Sequence, residues 1–94
     1  MENEYVRVRM PKGKQVIGIV ETMLGAGKFR VKCTDLKIRI CRIPGKFRRR
    51  MWVRQSDVVL VEPWEIQGDE RGDIVWKYTK TQAEWLRKRG MIEI

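Results

Sequence analysis

The residues whose types are best suited to binding a ligand lie between Lys46 and Arg54, where basic and aromatic side chains are interspersed. Arginine and lysine donate hydrogen bonds to phosphate oxygens, and aromatic rings stack on unpaired bases. The segment contains Phe47, Trp52 and the cations Lys46, Arg48, Arg49, Arg50 and Arg54. It therefore predicts nucleic-acid binding. We expect Phe47 to pack against the core, whereas Trp52 fits base stacking and packing equally well.

Catalytic and metal-binding residues are not expected. The sequence contains no histidine, which is the commonest general base and metal ligand. Gly25–Lys28 is similar to the end of a phosphate-binding loop, but Thr22 and Phe29 stand where that pattern requires glycine and serine or threonine. Three acids in a polar loop solvate a turn more plausibly than they bind calcium: Asp69, Glu70 and Asp73. We predict no catalytic residues, metal or cofactor, with an enzyme only a remote alternative.

Positive charge is concentrated in one part of the chain. The 94 residues include 21 Lys and Arg against 12 Asp and Glu, which gives a net charge of +9. Residues 28–54 hold eleven of these bases and a single acid, Asp35, so the rest of the chain is nearly neutral. Such a block repels itself and predicts a polyanionic partner, nucleic acid before an anionic membrane. The alternative is a solvated basic face that maintains solubility.

Residues 28–40 show the period of two that is typical of half-buried strands. Apolar and basic residues alternate over 28–33 and again over 36–40, and Thr34-Asp35 predicts a tight turn between them. We expect one face of this hairpin to hold Phe29, Val31, Leu36 and Ile38, and the other to hold Arg30, Lys32, Lys37 and Arg39. Because opposed like charges destabilise a sheet, the basic face favours a bound polyanion.

Three further strands and one helix are predicted. The strands are Gln15–Leu24, with a bulge or bend at Gly18, then Val58–Val61 and Ile74–Tyr78. Residues 46–52 form a connector of one or two helical turns. Thr81 to Glu84 fits a capping box at the start of a helix, and Gly90 is placed to end it after Arg87, Lys88 and Arg89.

Five strands with a short helical connector between the third and fourth predict an all-β, five-stranded OB-fold Greek-key barrel with a C-terminal α-helix. An SH3-like barrel is the main alternative, since strand counts do not fix strand order. The predicted units are a flexible basic arm (1–14), an OB-fold RNA-binding domain (15–79), and a helix with a short tail (80–94). The candidate RNA-binding residues are Arg30, Lys32, Lys37, Arg39, Arg42, Lys46, Arg48, Arg49, Arg50, Trp52 and Arg54.

Large rings and cysteines complete the predicted core. Trp64, Trp76 and Trp85 are interpreted as packing residues, because a thin core gains buried area from large rings. Cys33 follows the apolar parity and should be buried, whereas the pattern leaves Cys41 unassigned. Two cysteines are too few for a disulfide scaffold and lack zinc-site spacing, which favours a reduced intracellular protein. No apolar run suggests secretion or a membrane span, so we expect a cytoplasmic location.

The chain from about Gln15 to Gly90 also resembles translation initiation factor 1A of archaea and eukaryotes. The resemblance is carried by separated motifs in the same order: MLGAGKFRV at 23–31, GKFRRRMWV at 45–53, SDVVLV at 56–61 and DIVWKY at 73–78. The related bacterial factor 1 is similar over the barrel but lacks a counterpart to the C-terminal helix. Eukaryotic members end in a long acidic tail associated with a GTPase, whereas this sequence ends Met91-Ile92-Glu93-Ile94.

The resemblance implies an OB-fold that binds small-subunit ribosomal RNA in the decoding (A-site) region. There it would assist initiator tRNA placement and start-site selection, together with factor 1, factor 2 and the subunit-joining GTPase 5B. It points to Lys46, Arg48, Arg49, Arg50 and Trp52 as RNA-facing residues. We expect a monomer without a membrane partner. Two alternatives stay open, namely a general RNA chaperone of the cold-shock kind and a protein-interaction adaptor that uses the C-terminal helix.

Overall fold

A computed structural model of the chain describes residues 8–48 and 51–92. The elements, in chain order, are β1 (Val16–Gly25), β2 (Lys28–Cys33), β3 (Ile38–Arg42), a 3-10 helix (Gly45–Phe47), β4 (Val58–Pro63), β5 (Arg71–Lys77) and α1 (Lys80–Lys88). The strands close into a barrel in the order β1-β2-β3-β5-β4, with β4 returning to β1. Only the β3–β5 pair is parallel. The prediction of a five-stranded OB-fold barrel with a C-terminal helix is confirmed.

The apolar residues form two clusters, one inside the barrel and one outside it under α1. β4 explains the division, because Val59 and Val61 belong to the inner cluster while Val58 and Leu60 belong to the outer one. Successive side chains of a strand point to opposite faces. The run Val58–Val61 is therefore apolar throughout because both of its faces are covered, as predicted for a buried strand.

The helix α1 begins two residues earlier than the predicted capping box. Thr79 is the N-cap, and its hydroxyl accepts a hydrogen bond from the Gln82 backbone while the Gln82 side chain accepts one from the Thr79 backbone. The Thr81–Glu84 prediction was wrong. The earlier start places Ala83 and Leu86 on the buried face, against the outer cluster. Gly90 has a φ of 73°, which confirms it as the residue that ends the helix.

The segment before β1 lies against the barrel from Val8 onward. Val8 packs against the outer cluster, the Tyr78 hydroxyl donates to the Arg9 carbonyl, and the Arg9 guanidinium lies 4.3 Å from the centre of the Trp76 ring. Trp76 and Trp85 both pack against the outer cluster, which confirms their interpretation as packing residues. The rest of the predicted arm, residues 1–7, lies outside the described residues. None of the described helices is long and apolar enough to cross a membrane.

The face assignment for the second half of the hairpin was wrong. β3 starts at Ile38 and pairs Arg39 with Val31, so Arg39 and Cys41 point inward while Ile38 is about half exposed. Leu36 is 90% exposed and belongs to the turn. Because side chains alternate, shifting a strand by one residue exchanges its two faces. The turn is longer than Thr34-Asp35 and includes Leu36 at a φ of 70°, which produces that shift.

Gly18 is required by a close approach of two strands, and the bulge that was one of its two predicted roles does not lie at this residue. The irregularities of the β1–β2 pairing lie further on, between Val20 and Thr22 and between Met23 and Gly25. A Cβ atom at Gly18 would lie 2.5 Å from Cγ1 of Val31 and 3.2 Å from the carbonyl oxygen of Lys32. Any side chain here forces β1 and β2 apart.

Replacing Gly18 with alanine should therefore destabilise the barrel by about 1–3 kcal/mol, the usual cost of overpacking. Gly45→Ala is the matched control, because no atom lies within 4 Å of a Cβ built at that position. Urea denaturation monitored by circular dichroism measures both variants. Equal midpoints for the two would contradict the close-approach explanation.

Candidate nucleic-acid interface

The cations of β2 lie on the outside of the barrel. Lys28, Arg30 and Lys32 are exposed because Phe29, Val31 and Cys33 fill the alternate, inward positions. The predicted outward face for Arg30 and Lys32 is thus confirmed. Lys28 shares their parity but was missing from the candidate residues, although the period of two could have identified it.

Arg39 is a buried structural cation. It is 3% exposed, and its guanidinium donates to both carboxylate oxygens of Asp35 at 3.0 and 2.9 Å and to the carbonyl oxygen of Gly68. Its inward position follows from the register of β3, and its charge is neutralised by Asp35. Arg39 is therefore inaccessible to a polyanion on the surface. Asp35, the single acid of the basic block, thus neutralises one of its eleven cations.

Two further cations of the block also have carboxylate partners. Lys37 lies 2.8 Å from Asp69, and Arg42 lies 3.2 Å from Asp73. Sequence reasoning treated the block as lacking acidic partners, and that was wrong for these residues. The reason is topological, since the parallel β3–β5 pair brings the acidic segment 67–73 beside β3. The sequence separations of 32 and 31 residues leave no local pattern that predicts either pair.

Asp73 organises a small polar cluster at the same edge of the barrel. Its Oδ1 atom accepts hydrogen bonds from Nε1 of Trp64 at 2.9 Å and from Nε of Arg42. The Arg42 guanidinium also lies 5.1 Å from the centre of the Trp64 ring. Trp64 is half buried and is not among the residues of either apolar cluster, which differs from the packing role predicted for it.

Burial and hydrogen bonding perturb several pKa values. The hydrogen bonds from Arg39 hold the pKa of Asp35 below its usual range, and the same pair raises the pKa of Arg39. Burial raises the pKa of the Cys33 thiol and raises that of Cys41 to about 12. Both cysteines are free and buried, which confirms the core position of Cys33 and assigns Cys41 to the core as well. Protonated, inaccessible thiols are unreactive.

The open end of the β2–β3 hairpin, where Lys28 lies opposite Arg42, leads into a further group of cations. The chain leaves β3 through Pro44 and a 3-10 helix that turns the Phe47 ring toward the inner cluster, where Met51 also packs. The packing predicted for Phe47 is confirmed. Arg48 donates from Nε to the Ile43 carbonyl and reaches within 3.9 Å of a Cβ position built at Gly27, so it lies beside the β1–β2 turn.

Trp52 is the exposed aromatic residue of this end. Its side chain is 77% exposed, and its carbonyl oxygen accepts a hydrogen bond from Lys77. Of the two roles left open for the ring, packing receives no support. The ring borders a groove that Met51, Trp76 and Arg9 also line. The position of Lys77 could not be read from the sequence.

We refer to Lys28, Lys46, Arg48 and Trp52 as the basic end. Across residues 8–48 and 51–92, none of its three cations forms an ion pair. Arg54 lies nearby in sequence and is exposed. Arg49 and Arg50 lie outside the described residues. The same described ranges contain no group of three or more His, Cys, Asp or Glu that could hold a metal ion.

The closed barrel defines a small OB-fold protein, a class that binds oligonucleotides or oligosaccharides with its second and third strands and adjoining loops. A solution structure of bacterial translation initiation factor 1, from the Wolbachia endosymbiont of Brugia malayi, superposes with a TM-score of 0.57 and 32% identity. The match covers 73% of this chain and 82% of that one.

The sequence comparisons identify the family. The profile of the family described as translation initiation factor 1A / IF-1 matches residues 4–94. Translation initiation factor 1A of Pyrococcus abyssi is 56% identical over 96% of this chain and 80% of its own length. The factor 1A of Methanothermobacter thermautotrophicus is 48% identical over 97% of this chain and 92% of its own length. The chain belongs to the translation initiation factor 1A / IF-1 family.

The pair between Asp35 and Arg39 predicts a dependence of stability on pH. Because the pKa of Asp35 is lowered in the folded state, its contribution is present above the unfolded value near 3.9 and is lost as the pH falls through the folded value. Asp35→Asn should therefore lower the melting temperature at pH 7, and the difference from the unchanged protein should shrink by pH 3.

Asp69→Asn is the control for this measurement, because it removes an exposed ion pair worth less than about 1 kcal/mol. Thermal melts at both pH values compare the two variants. A constant difference between Asp35→Asn and the unchanged protein from pH 7 to pH 3 would show that the Asp35 carboxylate charge is not the cause.

Proposed function

We propose that this factor 1A family member binds the RNA of the small ribosomal subunit near the decoding (A) site, using the basic end as its principal contact. The observation that carries the proposal is that Lys28, Lys46 and Arg48 lack carboxylate partners among the described residues, while three other cations of the block have them. Two of these accessible cations, Lys46 and Arg48, belong to the family-like motif at 45–53.

The chemistry of the basic end suits backbone and shape recognition. Cations that neutralise phosphates release condensed counterions, so binding weakens steeply with salt. The exposed Trp52 ring adds stacking on an unpaired base, which tolerates any base because every base has a π face. Arg30 extends the positive surface along β2, and we propose Arg30, Arg49, Arg50 and Arg54 as further RNA contacts.

The contribution to initiation follows from occupancy of the site. A folded barrel bound at the decoding site prevents a second tRNA from entering it and leaves the neighbouring site for initiator tRNA. We propose that this is how the protein assists initiator tRNA placement and start-site selection. The barrel region, residues 15–79, makes the RNA contact. Residues 80–94 supply the helix that supports the barrel, and the arm at 1–14 adds cations to the RNA contact.

The proposed partners are small-subunit ribosomal RNA, factor 1, factor 2 with initiator tRNA, and the subunit-joining GTPase 5B. We propose that the protein works as a cytoplasmic monomer. The family is one of translation initiation factors, which is not an enzyme class. The contribution is therefore one of binding and positioning.

Replacing Arg48, Arg49 and Arg50 with alanine should abolish small-subunit binding at physiological salt and reduce the salt slope of log K by about two to three units. The control replaces Lys80, Arg87 and Lys88 on α1, which removes the same net charge from another face. Sedimentation with purified small subunits over a range of salt measures both. Equal losses in the two variants would mean that only net charge matters, and unchanged affinity would reject the assignment.

Trp52→Ala should weaken small-subunit binding roughly 5- to 150-fold, the loss of about 1–3 kcal/mol of base stacking, without altering the melting temperature. Phe47→Ala is the opposite case, since this ring packs against the inner cluster and its loss lowers the stability of the fold. Binding assays and thermal melts on both variants provide the comparison. A large fall in melting temperature for Trp52→Ala would show that the Trp52 ring stabilises the fold by packing.

A further inference from the structure

Leu36 occupies a position that is unfavourable for a leucine in two respects. Its φ of 70° lies in the left-handed region, which glycine and asparagine adopt far more readily than a branched apolar residue. Its side chain is also 90% exposed to water. The turn alone would be served better by glycine or asparagine. A strained, exposed leucine therefore indicates a contact outside the chain.

Leu36 is not an isolated apolar residue. Ile38 follows it at 52% exposure, and the β-sheet register places Ile19, Lys32 and Ile38 side by side on the outer face of three adjacent strands. Leu36, Ile19 and Lys32 also line a groove that runs to Met91 beyond the end of α1. We call Ile19, Lys32, Leu36, Ile38 and Met91 the hairpin-tip surface.

Among the described residues, the charges beside the hairpin-tip surface that form no ion pair are positive, since Lys37 and Asp69 pair with each other. Lys32 lies within it, Arg30 is exposed in the next row of β2, and Lys88 and Arg89 lie at the end of α1. The nearest acid along the chain, Asp35, is engaged by Arg39. An occupant with its own acidic groups would therefore find complementary charge as well as an apolar surface.

We propose that the hairpin-tip surface docks an acidic, aliphatic-rich segment of a protein partner. RNA is the poorer occupant, because none of the residues that line the groove carries a ring on which a base could stack. A second copy of the chain is also a poorer occupant. A symmetric contact would place Lys32 and Arg30 near the same residues of the other copy, where like charges repel. The proposal goes beyond RNA binding and names a second, protein-binding surface.

The two surfaces can be occupied together. Lys28 begins β2 at the basic end, and Cys33 ends that strand beside the hairpin-tip surface. A strand rises about 3.3 Å per residue, so the two ends of β2 are roughly 17 Å apart. Ribosomal RNA at one end therefore leaves the other end free for a protein.

Site-specific cross-linking tests the occupant. A photoreactive benzoylphenylalanine replaces Leu36 in the full chain, and the control carries it at Ile66, which is 79% exposed on the β4–β5 loop. Each is irradiated with purified small subunits and, separately, with each initiation factor named above. We expect position 36 to give at least about tenfold more cross-linked protein than position 66, mapped to a peptide rich in acidic and aliphatic residues. Products with RNA, products with a second copy, or no excess over position 66 would overturn the proposal.

Leu36→Asn provides the second measurement, because asparagine tolerates the left-handed conformation and removes the apolar contact. We expect a melting temperature that is unchanged or raised, unchanged affinity for ribosomal RNA, and at least a tenfold weaker affinity for the cross-linked partner. Ile66→Asn should leave all three unchanged. Unchanged partner affinity in Leu36→Asn would refute the surface. Failure of small-subunit binding would count against the proposed function alone, because the mixtures with free factors contain no ribosome.

Discussion

The ion pair between Arg39 and Asp35 sets the arrangement on which the rest of the molecule depends. A guanidinium 3% exposed inside the edge of a small barrel requires a partner, because an uncompensated buried charge costs several kcal/mol. Asp35 supplies it across the turn, and the Gly68 carbonyl adds a contact from the β4–β5 loop. With Arg39 inward, Cys41 also points inward and Ile38 outward, so the pair stabilises the faces of β3 that the length of the turn sets.

That register divides the basic block into two functional parts. On the β3–β5 side, Lys37 pairs with Asp69 of the β4–β5 loop, and Arg42 pairs with Asp73 of β5. On the side of the β1–β2 turn, Lys28, Lys46 and Arg48 form no ion pair among the described residues. Structural and accessible cations thus come from the same stretch of sequence but differ in their partners.

The helix α1 and the two apolar clusters provide the rigidity that this division requires. β4 supplies alternate residues to both clusters, so the barrel wall is packed from inside and outside. The outer cluster also holds the described start of the arm through Val8. The exposed aliphatic residues Leu36 and Ile38 differ from the residues of both clusters because the fold offers them no cover.

The sequence by itself determined the barrel, the outward cations of β2, the buried β4 and the family motifs, because these depend on local periodicity and on contiguous residues. It failed for Arg39, Leu36 and Ile38, where one extra turn residue exchanged the faces of β3. Only the tertiary structure decided which cations keep their charge accessible. The carboxylates that pair with Lys37 and Arg42 lie 32 and 31 residues away along the chain and meet them through the parallel β3–β5 pair, which no local pattern encodes.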